Sequence, residues 1–478
     1  MTNKKMHSLY INSQKSCLLA LIMVGALLRF WDITGHSYWI DELYSAARAM
    51  PEKNIIDVYY WGPEPHPPAH YILLWASYNI FGYHEILGKL ISAIAGTLCI
   101  PAIYYLGKTM FSKEVGLYSA CLLTFTPALI YYSQEARSYE LMVLFSILSS
   151  YFFFLLQEKK KIILAIIYIG VTIFLINLHF FGIWIFAAQV LFVAIYLTKS
   201  FKKKELLFYF LTFGIIASSY IPLLSQMAQA ASKGDTWIQS AEITTYILEA
   251  FSAYFGNENM FRSYQVVEIT LLGISFFLLF ILSFIKLAIN KKLSPTFIYI
   301  SLVFFFVYVA SLLMGAYLAP MFNNRNSLPA LPFIILVIAW GIHSIKIKKD
   351  YGLFFLIAVL IISNINFYNN FEREDWRGAM QKASGIKSPY SNKNHIFVSA
   401  WEGEWQVYKK WLELDDMPII GVKDLQIDSY EEGDVVWVLW ATIKPEDMDN
   451  NKLIMTNLIQ METQETNRAG LIQYKISK

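Results

Sequence analysis

Cys17-Leu-Leu-Ala-Leu-Ile-Met-Val-Gly-Ala-Leu-Leu-Arg29-Phe30-Trp31 is an apolar run, and the chain after it soon reaches an acidic pair, Asp41-Glu42. Lys4, Lys5 and Lys15 precede the run, so its basic end belongs with the cytoplasm and the acids emerge on the other side. No small-residue cleavage site follows, since the chain reads on as Arg29-Phe30-Trp31-Asp32, and the run is expected to stay as a first membrane helix. The remainder has the same character. A chain of 478 residues that is 56% hydrophobic, 17% aromatic and only 16% charged is excluded from the soluble globular class. A net charge of +3 gives no reason to expect a nucleic-acid partner. Cys17, Cys99 and Cys121 all lie in apolar segments, which leaves no disulfide for the polar stretches.

A span takes about 20 apolar residues. Runs near 15–31, 86–107, 114–132, 140–156, 162–178, 181–198, 206–224, 266–288, 296–318, 327–344 and 351–367 predict an all-α polytopic membrane protein with about eleven transmembrane helices. In this arrangement Lys108/Lys113, Lys159–Lys161, Lys199/Lys202–Lys204, Lys291/Lys292 and Lys346/Lys348/Lys349 all face the cytoplasm, as the positive-inside rule demands. Ala69 to Gly82 is also apolar, but as a span it would invert every later loop, so it reads as an interfacial or re-entrant helix. Counting it otherwise would give ten to thirteen spans.

The eight arginines separate from the lysines. Arg29, Arg48, Arg137, Arg262, Arg325, Arg373, Arg377 and Arg468 all fall on the outer side. Lysine suffices for orientation, whereas a guanidinium is suited to gripping a phosphate or carboxylate by two parallel hydrogen bonds. AT-rich coding would also favour lysine and leave arginine only where it is needed, including for ordinary ion pairs. The outer face carries a loop from Asp32 to about Glu85, another from Ser225 to about Gln265, and the tail. From Asn370 to Lys478 the composition turns globular, with strand-length runs at 396–398, 418–422, 435–439 and 471–474 and helices around 376–384 and 404–414. The expected organisation is a membrane domain over 1–369, with a catalytic outer loop at 32–85, and a small extracytoplasmic α/β domain over 370–478. Chemistry on that face has no ATP or nucleotide sugar to draw on, so an activated substrate must come from the lipid.

Ile40, Leu43, Tyr44 and Ala47 follow helical spacing, which predicts a surface helix from about Ser37 with Asp41 and Glu42 in its first turn. Acids there complement the helix dipole by about 0.3–1 kcal/mol. Beside Trp31, Tyr38 and Trp39 a partly dried carboxylate would also accept a proton from an attacking hydroxyl, which makes Asp41 a candidate base. Glu64 and His66 lie in the proline-rich Trp61–Pro68 stretch, where the backbone is held extended. Asp41, Glu64 and His66 lack the close spacing of a metal site, so no metal and no cofactor is expected, although a divalent ion is conceivable on residue type. Glu135, Arg137 and Tyr139 follow the third span, His179 marks the next outer turn, and Arg325 precedes Leu328-Pro329-Ala330-Leu331-Pro332. Ionisable groups at such depths usually line a cavity or a substrate path. Arg325 could grip a substrate phosphate or any lipid headgroup.

Trp39-Ile-Asp-Glu42, His66-Pro-Pro-Ala-His-Tyr-Ile-Leu-Leu, Ser133-Gln-Glu-Ala-Arg-Ser-Tyr-Glu-Leu-Met-Val-Leu-Phe, Asn324-Arg-Asn-Ser-Leu-Pro-Ala-Leu-Pro and Glu374-Asp-Trp-Arg-Gly-Ala occur in that order. From Arg29 to Arg377 the chain resembles the GT-C membrane glycosyltransferases of the protein-mannosyltransferase and aminoarabinose-transferase type. The resemblance implies transfer of a sugar from a polyprenyl-phosphate carrier to an extracytoplasmic lipid, glycan or protein, in the plasma membrane. It implies Asp41 as base, Arg325 as holder of the departing phosphate with Arg137 beside it, and Glu42, Glu64, His66, Glu135, Tyr139 and His179 lining the site. Asn326 stands where many relatives have tyrosine, Lys89 where arginine is frequent, and His66 where aminoarabinose transferases often have lysine. The acceptor of those transferases is therefore not expected here. A transporter or flippase of lipid-linked saccharides is the alternative, but it should show pseudo-symmetric halves, and the sequence has no internal repeat.

Overall fold

The computed structural model describes residues 3–60, 66–197, 203–225, 228, 243–257, 266–290, 294–317, 323–345, 349–370, 373–385, 395–399, 402–414, 417, 419–421, 435–441, 458–466 and 469–476. Among these, five helices are long and apolar enough to cross a membrane: Ile86–Met110, Tyr139–Lys159, Lys203–Leu223, Val267–Asn290 and Pro295–Gly315. Shorter apolar helices cover Ile162–Leu178, Gly182–Tyr196, Leu328–His343 and Asp350–Ile365. The chain is thus an all-α polytopic membrane protein over most of its length, followed by a small β-containing region.

Local chemistry sets the helix boundaries. Ser112 and Ser294 each cap a helix by accepting the N–H three residues on, from Val115 and Phe297, both at 3.2 Å. The expected span 114–132 is in fact two helices, Lys113–Phe125 and Pro127–Tyr132, because Pro127 drives Thr126 to an extended backbone. Helices Ile86–Met110 and Lys113–Phe125 pack through Gly107 and Gly116, where a Cβ on Gly107 would lie 2.8 Å from the Gly116 Cα. Within the expected outer loop 225–265 the apolar segment Ile243–Ser252 is a helix, and Tyr254 after it contacts the Ser327 hydroxyl at 2.5 Å. The expected interfacial segment is the helix Ala69–Phe81, whose 13 residues are too few to cross.

Successive helices alternate, so their ends sort into two groups. At one end Thr296 bonds to the Met110 carbonyl (3.0 Å) and Lys286 to that of Ser344 (3.1 Å). At the other, Gln134 bonds to the Trp31 carbonyl (2.9 Å) and Tyr368 to that of Leu28 (2.7 Å).

The β-containing region forms one five-stranded sheet in the order β2-β1-β3-β5-β4. Strand β1 (His395–Ser399) runs parallel to β2 (Ile419–Gly421) and β3 (Val435–Ala441), whereas β5 (Ala469–Ile476) is antiparallel to both β3 and β4 (Leu458–Thr466). Phe397, Trp437 and Leu439 share a buried core with Trp376, Trp405 and Tyr408, and the same core includes Tyr38, Leu43 and Ala46 of the first outer loop. The sheet and its helices are packed onto that loop. Helix Glu402–Trp411 makes the contact: Tyr408 accepts from the Tyr38 N–H (2.7 Å), Trp411 meets the Tyr38 ring edge-on (5.1 Å), and Lys410 pairs with Glu52 (2.6 Å).

Candidate active site

The acidic helix is Ile40–Arg48, starting later than the apolar spacing predicted because 37–39 is non-helical and Trp39, with an extended backbone, is its cap. In extended backbone neighbouring side chains point to opposite sides. Tyr38 therefore turns into the core shared with the sheet, while Trp39 faces Arg325, whose guanidinium carbon lies 4.8 Å from the ring centroid. Trp31, expected to shield the acids, is 62% exposed and does not.

The two acids have opposite surroundings. The Asp41 Oδ2 accepts from Arg325 Nη1 at 3.2 Å, and both side chains keep part of their surface open to solvent. Glu42 is fully buried. Its Oε2 accepts from the Trp39 N–H (3.1 Å) and from Arg373 (3.0 Å), and its Oε1 from the Ala136 N–H (2.7 Å). A carboxylate with three donors is a fastening, and this corrects the expectation that Glu42 lines an open site.

Arg137 also differs from expectation. Expected at the donor phosphate, it is buried and bonds through Nη1 to the Asp41 carbonyl (3.0 Å) and the Ser45 hydroxyl (2.9 Å), so it pins the backbone of the acid itself. Glu135 pairs with Arg373 at 3.1 Å. Burial, opposed by Arg373, pushes its carboxyl up to about 7. Tyr139 is buried 5.9 Å from the His179 ring, and His179 lies 5.1 Å from that of His66. Burial, reinforced by Arg137 and Arg48, lowers His66 to about 3, and His70, whose Nε2 contacts the Ala136 carbonyl at 3.2 Å, is lowered likewise to about 3. Both imidazoles are neutral at physiological pH. Glu64 lies outside the described residues.

Three residues that sequence reasoning gave no role hold the loop in place. Arg48 bonds to the Val58 and Tyr59 carbonyls (3.0 and 3.3 Å), Arg373 joins Glu42 to Glu135, and Arg377 grips Glu85 through Nε and Nη2 (3.1 and 2.8 Å). The order of the short motifs carried the available signal: Arg373 and Arg377 flank the Glu374-Asp-Trp element. Among the described residues no group of three His, Cys, Asp or Glu side chains is placed to hold a metal ion. A separate cavity of ≈ 240 Å³ lies at the opposite end of the bundle, lined by Met110, Ser112, Thr296, Trp340 and His343 among others.

The fold that brings these residues together is similar to that of known structures. The chain is similar over 97% of its length, and 98% of the other's, to ArnT from Cupriavidus metallidurans bound to undecaprenyl phosphate, with a TM-score of 0.57 and 8% identity. It is similar to the Archaeoglobus fulgidus oligosaccharyltransferase in complex with Zn and sulfate (TM-score 0.52, 13% identity, 96% of this chain and 73% of that). A third similar structure is AglB from the same organism with an inhibitory peptide and a dolichol-phosphate (TM-score 0.53, 12% identity, 89% and 69%). The chain has the GT-C fold of membrane glycosyltransferases. More narrowly, residues 65–222 match the sequence pattern of the family described as dolichyl-phosphate-mannose-protein mannosyltransferase. No curated protein sequence matches the chain.

Proposed function

We propose that this protein is an integral-membrane glycosyltransferase that moves a sugar from a polyprenyl-phosphate carrier to an extracytoplasmic acceptor. The observation that carries the reading is the meeting of Asp41 and Arg325, 284 residues apart in sequence, at 3.2 Å in a partly open site. Asp41 takes the proton of the acceptor hydroxyl as its oxygen bonds to the anomeric carbon. The carbon–oxygen bond to phosphate breaks, and its electron pair leaves with the polyprenyl phosphate. Arg325 holds that phosphate, whose charge grows as the bond breaks, so a guanidinium there stabilises the transition state more than the ground state. A sugar on a lipid phosphate is already activated and needs no nucleotide loop. Carriers of this class accompany two of the similar structures, undecaprenyl phosphate in ArnT and dolichol-phosphate in AglB.

The site faces outward in this reading, because the lysine clusters mark the cytoplasmic end of an eleven-helix bundle. Residues 1–369 form the membrane domain and 370–478 the extracytoplasmic α/β domain. His66, His179 and Tyr139 form an aromatic wall beside the sugar, and Arg137 contributes through Asp41 and Ser45. We assign the positive charge at the phosphate to Arg325 with no metal required; transfer that stops on adding EDTA and returns with a divalent ion overturns that assignment.

Mass spectrometry of cell-envelope glycans with and without the gene product, and with Asp41→Asn, tests the function. Loss of one sugar from one glycan is expected in the null and in the variant. Unchanged glycans in the null refute the transferase.

A further inference from the structure

We propose that Arg373 is a positioning residue for this transfer: by fastening Glu42 and Glu135 together it fixes the first turn of helix Ile40–Arg48 and holds Asp41 opposite Arg325. The proposal rests on the function given above for Asp41 and deepens it. Arg373 comes just after helix Lys349–Asn370, at the entry to the sheet-bearing region, and its described ion pairs are with Glu42 and Glu135. Its Nη1 lies 3.0 Å from Glu42 and its Nη2 3.1 Å from Glu135. Glu42 is the immediate neighbour of Asp41 and binds the N–H of Trp39 on one side and that of Ala136 on the other. Three separate pieces of chain thereby meet on one guanidinium.

All three charged groups are nearly inaccessible to water, so neither carboxylate has solvent to fall back on. Without the guanidinium, nothing described bridges Glu42 to Glu135, and the helix start loses one of its ties to the 135–137 loop. That loop also carries Arg137, which bonds to the Asp41 carbonyl. Disturbing one fastening therefore moves the other. The neighbouring contacts tie the same entry segment to the loop: Ser37 donates to the Glu374 carbonyl (2.6 Å), the Ile40 N–H faces Glu374 Oε2 (3.4 Å), and the Trp376 indole N–H donates to that same oxygen (2.8 Å).

The test measures the Asp41–Arg325 juxtaposition directly. In the full chain, with the three native cysteines replaced by alanine, the pair Asp41→Cys and Arg325→Cys is bridged by a short bifunctional thiol reagent. Cross-linking is expected to fall about fivefold with Arg373→Met, the size of a displacement costing a modest fraction of folding stability. It should recover when Glu135→Gln is added, since an amide there can donate to Glu42 in place of the guanidinium. Arg373→Lys keeps the charge but reaches one carboxylate at a time, and should fall between. In the chain with Asp41 and Arg325 intact, Arg373→Lys should lower sugar transfer about 100-fold, the penalty for a misplacement near 1 Å, while leaving undecaprenyl-phosphate affinity unchanged. Cross-linking at the parent level in both Arg373 variants overturns the proposal, as does a fall in both that only follows the folded fraction seen by thermal unfolding. If cross-linking behaves as stated but the parent chain transfers no sugar, the transferase reading falls and the positioning role stands.

Discussion

Adjacent acids with opposite surroundings should fail in opposite ways when neutralised. Asp41→Asn keeps the side-chain shape and removes its basicity. It forms an ion pair with Arg325, and both groups are partly solvated, 35% and 20% exposed, so the pair contributes about 0.2–1 kcal/mol to stability. A general base, by contrast, contributes about 100- to 10,000-fold to rate, or roughly 3–5 kcal/mol of barrier. Catalysis is thus the larger effect by several kcal/mol. Glu42→Gln reverses the balance. That carboxylate is fully buried among two backbone N–H groups and Arg373, and an amide must turn an NH2 toward at least one donor. Breaking a buried charged pair costs about 3–5 kcal/mol. Transfer rate in isolated membranes and thermal unfolding of the purified chain in detergent separate the two. The expected pattern is an inactive but stable Asp41→Asn chain and an unstable Glu42→Gln chain. Wild-type transfer by Asp41→Asn, or equal destabilisation by the two changes, refutes the reasoning.

Arg325→Lys loses the planar fork and the stacking over Trp39, and should weaken binding of a polyprenyl phosphate about tenfold, read by titration of the purified protein. A Cβ on Gly88 would lie 2.4 Å from the Tyr38 hydroxyl and 2.5 Å from the Ala136 Cβ, so Gly88→Ala should push the acidic helix and the 135–137 loop apart and lower stability by about 1–3 kcal/mol in thermal unfolding. His70 has a folded pKa near 3, below its unfolded value of 6.5, so its contribution is present above 6.5 and is lost as pH falls toward 3. Acidifying from 6.5 to 4.5 should therefore remove roughly 2 kcal/mol through His70, and His70→Gln should flatten the pH dependence of unfolding. Glu135 acts with the other sign: its folded pKa near 7 lies above the usual carboxylate value, so it favours the fold below about 4.5 and that support disappears as pH rises to 7. Glu135→Gln should make the fall in stability on acidification steeper, measured in the same unfolding series.

Long apolar runs and short ordered motifs made the helical bundle and the Asp41 and Arg325 positions legible in the sequence, because each is a property of neighbouring residues. The Glu42–Arg373–Glu135 fastening was not, since its members lie 331 and 238 residues apart and nothing local announces which acid meets which arginine. The contrast between Asp41 and Glu42 was likewise hidden, because both sit in one helical turn and only the packed fold separates a solvent-facing side from a buried one. Strand β4, Leu-Ile-Gln-Met-Glu-Thr-Gln-Glu-Thr, went unread because an edge strand paired on one side needs no alternating apolar face. The break at Thr126 was available in principle, since Pro127 forbids the preceding residue a helical backbone, but an unbroken apolar run outweighs a single proline when spans are counted.

The roof over the acidic helix also sets a timetable. Arg373, Arg377 and Tyr408 are synthesised long after Asp41, 331 residues after Glu42 in the case of Arg373. Until they are made, the acidic helix has only its earlier fastenings to draw on, among them Ala136 and Arg137. The last part of the chain to be made thereby completes the seat of the first.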